Sequence, residues 1–300
     1  MNKVPRSVYL KLVCVALFWG GTFIAGRIVS QAIPHMIAAA GRFIVACVFL
    51  VLLAWKVEGG LPRLSRQQWF ATFGLGATGI FLYNICFLAA LERMPAGRSA
   101  LFVSLSPIVT ALSMAAIFKE RLGSIKWLGI AIAFVGAAIV ITRGDLVNVM
   151  HDVSSSMGAG ELFMLGGVCS WTAYTILGKQ ALKGLSPIAA TTYASLWGLL
   201  LLSIGAVNQL PLLDTNKLSW QVLSAIAFLG IFGTVIGFVW YYEGVKTIGP
   251  ARTAVFNNLV PVFGVGLSTL MLNEPILISM VVGGLLVIAG VSLTNRAKTS

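Results

Sequence analysis

Asn257 and Asn258 stand side by side in the apolar stretch FNNLVPVFGVGLSTLMLNEP, residues 256–275. The chemistry open to an amide there is hydrogen bonding to solute, water or another side chain, because a buried amide without a partner costs ~1–3 kcal/mol. Pro261 adds a backbone demand, since it cannot return a hydrogen bond to the Asn257 carbonyl. FVSLSPIVTALSMAAIFKER, residues 102–121, repeats Phe, Leu, Pro and Glu in the same four columns. Its Ser104 and Pro107 occupy the places of Asn258 and Pro261. Two readings of the prolines stay open: a kink that only packs the helix, or a kink whose freed carbonyl and polar neighbours wall a water-filled path.

Aromatic residues with polar handles form further groups. Trp19, Thr22 and Gly26 share one helical face at i, i+3 and i+7, and Trp171, Tyr174 and Gly178 repeat the spacing 152 residues later. Tyr83, Asn84 and Phe87 make a third group, and Trp240, Tyr241 and Tyr242 a fourth. Such faces hold the apolar part of a small molecule while hydroxyls and amides orient its polar end; anchoring at the membrane interface is the competing reading for Trp240 and Tyr242. Arg42, about two turns into an apolar run, either snorkels to the surface or pairs with carbonyls and anionic groups. No phosphate-binding loop, metal-ligand spacing, nucleophile elbow or paired carboxylates occur. Neither an enzyme nor a bound metal or cofactor is expected.

The elements that carry these residues follow from composition. The chain has 300 residues, 58% hydrophobic and 10% charged, against about 25% charged in soluble domains. Ten apolar runs, at 8–29, 35–55, 68–91, 96–117, 124–142, 160–181, 187–207, 219–243, 250–271 and 275–294, approach the roughly 20 residues needed to cross a bilayer as a helix. The expected fold is an all-α integral membrane protein of ten transmembrane helices. The net charge of +12 fits basic cytoplasmic loops and gives no nucleic-acid footprint, since no basic patch is interleaved with aromatics. The four cysteines, all inside apolar runs and without a CxxC pair, read as small buried hydrophobes.

The halves repeat. Arg98, Ala100, Phe102, Pro107, Glu120, Gly129 and Gly136 match Arg252, Ala254, Phe256, Pro261, Glu274, Gly283 and Gly290 at an offset of 154. Residues 1–144 and 160–300 form the two repeats, with 145–159 as linker. Five spans per repeat is an odd number, so the second repeat enters the membrane from the opposite side, a device of transporters whose solute site lies between the repeats. Glu120 and Glu274 precede spans 5 and 10 and read as caps of those helices. Gly230, Gly233 and Gly237 read as a close-packing face. No acid falls in the middle third of a span, so proton coupling has no visible carrier.

The segments LFWGGTFIAGR, AAGRF, PAGRSALFVSLSPIVTALSMAAIFKERL and GPARTAVFNNLVPVFGVGLSTLMLNEP resemble the ten-helix, EamA-type members of the drug/metabolite transporter superfamily over nearly the whole chain. The resemblance implies a basket of two inverted five-helix repeats, with a central cavity lined mainly by spans 1, 3, 4, 6, 8 and 9. It also implies a multi-pass protein of the cell inner membrane that moves small metabolites by alternating access, with export of amino acids or related compounds as the leading expectation. A multidrug or nucleotide-sugar carrier of the same fold, and a non-transporting scaffold or sensor, are the alternatives. Implied solute-binding residues are Trp19, Thr22, Tyr83, Asn84, Ser104, Trp171, Tyr174, Tyr241 and Asn258, with Pro107 and Pro261 as kinks. The expected partners are a small-molecule solute and the lipid bilayer. Between Asn257 and Asn258 the match to Ser104 favours Asn258 as the one facing the path.

Basic residues split fifteen to five in favour of the side that carries the N-terminus, which places both termini in the cytoplasm. Reporter fusions after Lys298 and within 56–66 are expected to read cytoplasmic, and one near Asp152 periplasmic. A cytoplasmic reading near Asp152 contradicts five spans per repeat.

Overall fold

The computed structural model describes residues 6–118, 123–141, 158–181, 184–248, 253 and 256–296. Glu120 and positions 145–157 of the expected linker lie outside them. Ten helical segments follow one another among the described residues, with no strand. They are α1 (Arg6–Ala32), α2 (His35–Glu58), α3 (Arg66–Arg93), α4 (Ala96–Val103 and Ser106–Phe118), α5 (Ser124–Ile141), α6 (Ala159–Ala181) and α7 (Pro187–Gln209). The last three are α8 (Trp220–Gly230, Ile231–Ile236 and Gly237–Ile248), α9 (Phe256–Asn258 and Leu259–Leu272) and α10 (Ile278–Arg296).

Local chemistry sets the ends. Ser65 caps α3 by accepting from the Gln68 amide at 3.3 Å, while Gln68 Oε1 accepts from the Ser65 amide at 2.9 Å, a reciprocal box that satisfies two orphan donors. Ser186 and Ser219 cap α7 and α8 with the hydroxyl alone, accepting from the Ala189 and Val222 amides. Asn273, at φ 53°, closes α9 in the left-handed region that asparagine tolerates.

The surface is the reverse of a soluble protein's. Ile44, Val48, Leu52 and Trp55 on α2, with Ile278, Val281, Val282 and Leu285 on α10, point outward, whereas Arg42, Asn84, Arg98, Glu161 and Thr234 are buried. Contacts between the halves come in related pairs. α1 packs on α9 as α6 packs on α4, α1 on α8 as α6 on α3, and α2 on α8 as α7 on α3. The contacts α5–α10, α2–α7 and α4–α9 map onto themselves. This is the pattern of two repeats related by a pseudo-twofold axis.

Glycine permits the closest approaches. A β-carbon on Gly136 would lie 2.5 Å from the Gly283 carbonyl oxygen, and one on Gly283 would lie 2.5 Å from the Gly136 oxygen. Gly129 and Gly290 make the companion contact at 2.7 and 2.4 Å. The Gly230–Gly233–Gly237 face is likewise occupied, by Val45, Thr22 and Trp19 in turn.

Glu274 departs from expectation. It caps not its own α10 but α4 of the other half: Oε1 accepts from the Ala96 amide at 2.9 Å and Oε2 from the Gly97 amide at 3.0 Å. Pro95 precedes α4 and offers no side-chain cap, so a carboxylate from across the repeat supplies the acceptor that these N–H groups and the helix dipole favour.

Gly136→Val and Gly283→Val are each expected to lower the yield of folded protein sharply, since the clash is with backbone and overpacking costs ~1–3 kcal/mol or more. Gly266, whose added β-carbon would meet nothing within 4 Å, is the control. Gly266→Ala should leave yield and melting temperature unchanged or slightly raised. Size-exclusion profiles and thermal melts in detergent check both.

Candidate solute-binding cavity

Four of the ten helices are irregular, and all four meet at one place. Between Val103 and Ser106, α4 is broken by i→i+3 bonds, from Ser104 N to Leu101 O at 3.2 Å and from Leu105 N to Phe102 O at 3.0 Å. α9 opens on the 3₁₀ turn Phe256–Asn258. Pro107 and Pro261 each follow within three residues, and neither has an N–H to return to the carbonyl four residues back. Wide π turns interrupt α3 at Gly76–Leu82 and α8 at Ile231–Ile236, near-equivalent positions of the two repeats. Such turns recur at functional sites.

Side chains take up backbone carbonyls in and beside the two π turns, Trp19 and Ser170 from neighbouring helices and Asn84 and Thr234 from within α3 and α8 themselves. Trp19 Nε1 donates to Gly233 O at 3.0 Å and Ser170 Oγ to Thr78 O at 2.7 Å. Asn84 Nδ2 donates to Ile80 O at 2.6 Å, and Thr234 Oγ1 to Leu229 O at 3.0 Å.

A cavity of about 310 Å³ lies where the irregular helices converge. Six of the nine expected residues line it: Trp19, Thr22, Tyr83, Asn84, Trp171 and Tyr241. Trp19 and Trp171, counterparts in the two repeats, meet edge to face with centroids 6.0 Å apart. Tyr241 packs 5.2 Å from Trp19, and Tyr83 packs 5.4 Å from Trp171. The result is a continuous aromatic wall drawn from α1, α3, α6 and α8.

Ser104, Tyr174 and Asn258 are not in the lining. In the first turn of α9, three residues make a turn, so Asn257 and Val260 share the cavity face and Asn258 is rotated off it. The break in α4 does the same. Val103 and Ser106, the counterparts of Asn257 and Val260, face the cavity. Ser104 is buried behind them, its hydroxyl without a partner among the described residues. Tyr174 lies against Gly79, where a β-carbon would come within 2.1 Å of its ring, and its hydroxyl is 3.2 Å from that of Tyr242. Thr175 takes the cavity position one residue on.

Residues that sequence reasoning passed over also face the space: Phe23, Phe43, Thr110, Val168 and Phe238. A signal was present, since Val103, Ser106 and Thr110 follow the one-face spacing i, i+3, i+7. Arg42 is the largest addition. Rather than snorkelling, it is 6% exposed and lines the cavity. Its Nη1 donates to Asn84 Oδ1 at 2.9 Å and its Nε to Thr234 Oγ1 at 3.1 Å. Among the described residues no group of three or more His, Cys, Asp or Glu gathers to hold a metal.

The end of the bundle opposite the N-terminus is tied by polar contacts. Arg98 and Glu161, both buried, pair at 2.8 Å between α4 and α6. Arg27 donates to Leu91 O and Met94 O at 2.5 and 2.8 Å, and His35 stands 3.3 Å from Glu92. At the other end Lys11 and Glu243 join α1 to α8 at 2.8 Å.

Known proteins give this arrangement a context. The family model described as the EamA-like transporter family matches twice, over residues 6–142 and 158–296. The uncharacterized transporter YyaM of Bacillus subtilis (strain 168) is 30% identical, covering 95% of this chain and 92% of its own length. A protein of Streptantibioticus cattleyicolor named as a probable terminal-alkyne amino-acid exporter is 26% identical, covering 98% of this chain and 95% of its own. A solved crystal structure at 17% identity superposes with a TM-score of 0.65 over 96% of both chains and shares the fold. With both halves matched and a full-length relative at that identity, the chain belongs to the EamA-like transporter family of multi-pass membrane proteins.

Proposed function

We propose that the protein is a secondary transporter that exports amino acids or related small metabolites across the cytoplasmic membrane by alternating access. One observation carries the reading: an aromatic-walled cavity of about 310 Å³ sits between the two halves, bounded by the four irregular helices. Its volume is at the small end of the ~300–1,000 Å³ typical of ligand pockets, which suits a metabolite of amino-acid size. The relative named as an amino-acid exporter adds support from outside the chain.

In this reading residues 1–144 and 160–300 rock against each other about the cavity, with both termini cytoplasmic. Arg98–Glu161 and the Glu274 cap hold the far end together in the state seen here. Opening toward that side requires these contacts to part, while Lys11–Glu243 belongs to the end that carries the termini. Trp19, Thr22, Tyr83, Asn84, Trp171 and Tyr241 would contact the solute. Ser104, Tyr174 and Asn258 would support the wall from behind, with Pro107 and Pro261 fixing the breaks.

Counterflow in proteoliposomes tests the proposal. Vesicles preloaded with one unlabelled L-amino acid at a time should accumulate the same labelled compound well above protein-free vesicles, for at least one member of the set. Trp171→Ala should cut the initial rate by about tenfold, the equivalent of losing ~1.4 kcal/mol of solute interaction. Leu270→Ala, 80% exposed on the outer surface, should leave it unchanged. Failure of every amino acid and related metabolite to accumulate would contradict the reading.

A further inference from the structure

The two repeats are not equivalent where they meet the cavity. Arg42 and Asn84 line it from α2 and α3, and Thr234 of α8 is buried behind Arg42, the three joined by the 2.9 and 3.1 Å hydrogen bonds described above. The repeat counterparts of these three residues are Ala194, Phe238 and Ile80. The equivalence is structural as well as sequential: a β-carbon on Gly230 would lie 2.9 Å from Arg42 O, and one on Gly76 would lie 2.8 Å from Ala194 O. One side of the pseudo-twofold axis therefore carries a guanidinium, an amide and a hydroxyl, and the other carries three apolar side chains.

The guanidinium also has no acidic partner among the described residues; the Phe43 ring lies 5.3 Å from its Cζ. Asn84 and Thr234 are neutral acceptors, and they engage only Nη1 and Nε. Nη2 has no hydrogen bond among the described residues. Among the described residues no acid lines the cavity. The acids of the described helix ends are engaged elsewhere: Glu92 with His35 and Arg93, Glu161 with Arg98, Glu243 with Lys11, and Glu274 with the amides of α4. Glu58 accepts from Ser186, and Asp214 caps its own turn. A buried charge is ordinarily paired, and a guanidinium presents its N–H groups as a fork that matches a carboxylate.

We infer that Arg42 anchors the carboxylate of the transported solute, and that Asn84 and Thr234 hold its fork in place. The inference rests on the transporter reading and narrows it to one solute class: small carboxylates with an apolar or aromatic body. The body would lie along Trp19, Trp171 and Phe238, the last being the apolar counterpart of Asn84. A single orientation follows, acid toward Arg42 and apolar end toward Phe238. An amino acid fits this class, its ammonium meeting aromatic faces rather than a carboxylate.

Binding to the purified full-length protein tests this without transport. Two probe pairs are titrated calorimetrically, 3-phenylpropionate against 3-phenylpropionamide and L-phenylalanine against L-phenylalaninamide. In at least one pair the acid should bind tenfold or more tightly than its amide. Arg42→Gln should bring that ratio near one while amide affinity is kept, and Arg42→Lys should retain part of the preference. Because Arg42→Gln removes two interhelical bonds and can cost folding, a second measurement uses the unaltered protein. Phenylglyoxal modification followed by peptide mass spectrometry should label Arg42, and the acid, not the amide, should protect it. Equal binding of acid and amide in both pairs, or no acid binding at all, overturns the inference. So does an Arg42 that no acid protects. If the acid preference holds while counterflow fails, the transporter reading falls and the anchor stands; if counterflow holds without acid preference, the reverse is true.

Discussion

Hydrocarbon offers no hydrogen bonds, and this constraint organises the rest of the molecule. A regular helix satisfies its own backbone, but any departure from regularity leaves N–H or C=O groups that lipid cannot serve. Here the departures are grouped: π turns in α3 and α8, a break in α4 and a 3₁₀ start in α9. At the π turns Trp19, Ser170, Asn84 and Thr234 take up carbonyls. Two of these side chains, Trp19 and Asn84, also line the cavity. The helices that give no described residue to the cavity, α5, α7 and α10, are uninterrupted.

The halves are bound together by backbone as much as by side chains. Gly136 and Gly283 let α5 and α10 approach until carbonyl oxygens occupy the space of β-carbons. Glu274 crosses from one repeat to cap α4 of the other. In the proposed alternating-access cycle, contacts of this kind would exchange one packing for another rather than stretch. The cavity, by contrast, is where the symmetry is broken. Arg42 and its partners on one side face apolar counterparts on the other, giving a nearly symmetric scaffold a polar and an apolar pole.

Much of the fold was legible in the sequence because lipid imposes simple rules. Runs of about 20 apolar residues marked the helices, and the column matches of Pro107 with Pro261 and of Gly129 and Gly136 with Gly283 and Gly290 disclosed the duplication. Six cavity residues, among them Trp19 and Trp171, were visible as aromatic or polar side chains at one-face spacing. Ser104 and Asn258, matched across the repeats, fall outside the cavity lining, because the i, i+3 geometry of a broken helix turns Val103 and Asn257 toward the cavity instead. Repeat equivalence was right about which positions share an environment, though not about which environment. Glu274 was recognised as a cap, but the helix it serves lies in the other repeat, a relation that sequence order cannot express. Arg42 was ambiguous for a similar reason, since its partners come from α3 and α8 and only the folded chain brings them within 3.1 Å.

The central claim is that the space between the repeats is a solute path walled by particular faces of the broken helices. Single cysteines placed at 257 and at 258, in a background where Cys14, Cys47, Cys86 and Cys169 are replaced by serine, address it most directly. The rate of reaction with a small, polar, membrane-impermeant thiol reagent would be followed in proteoliposomes from each side. Asn257→Cys is predicted to react from one side at least ten times faster than Asn258→Cys, and to slow when transported solute is present. A faster reaction at 258, or an inert thiol at 257 from both sides, would contradict the account.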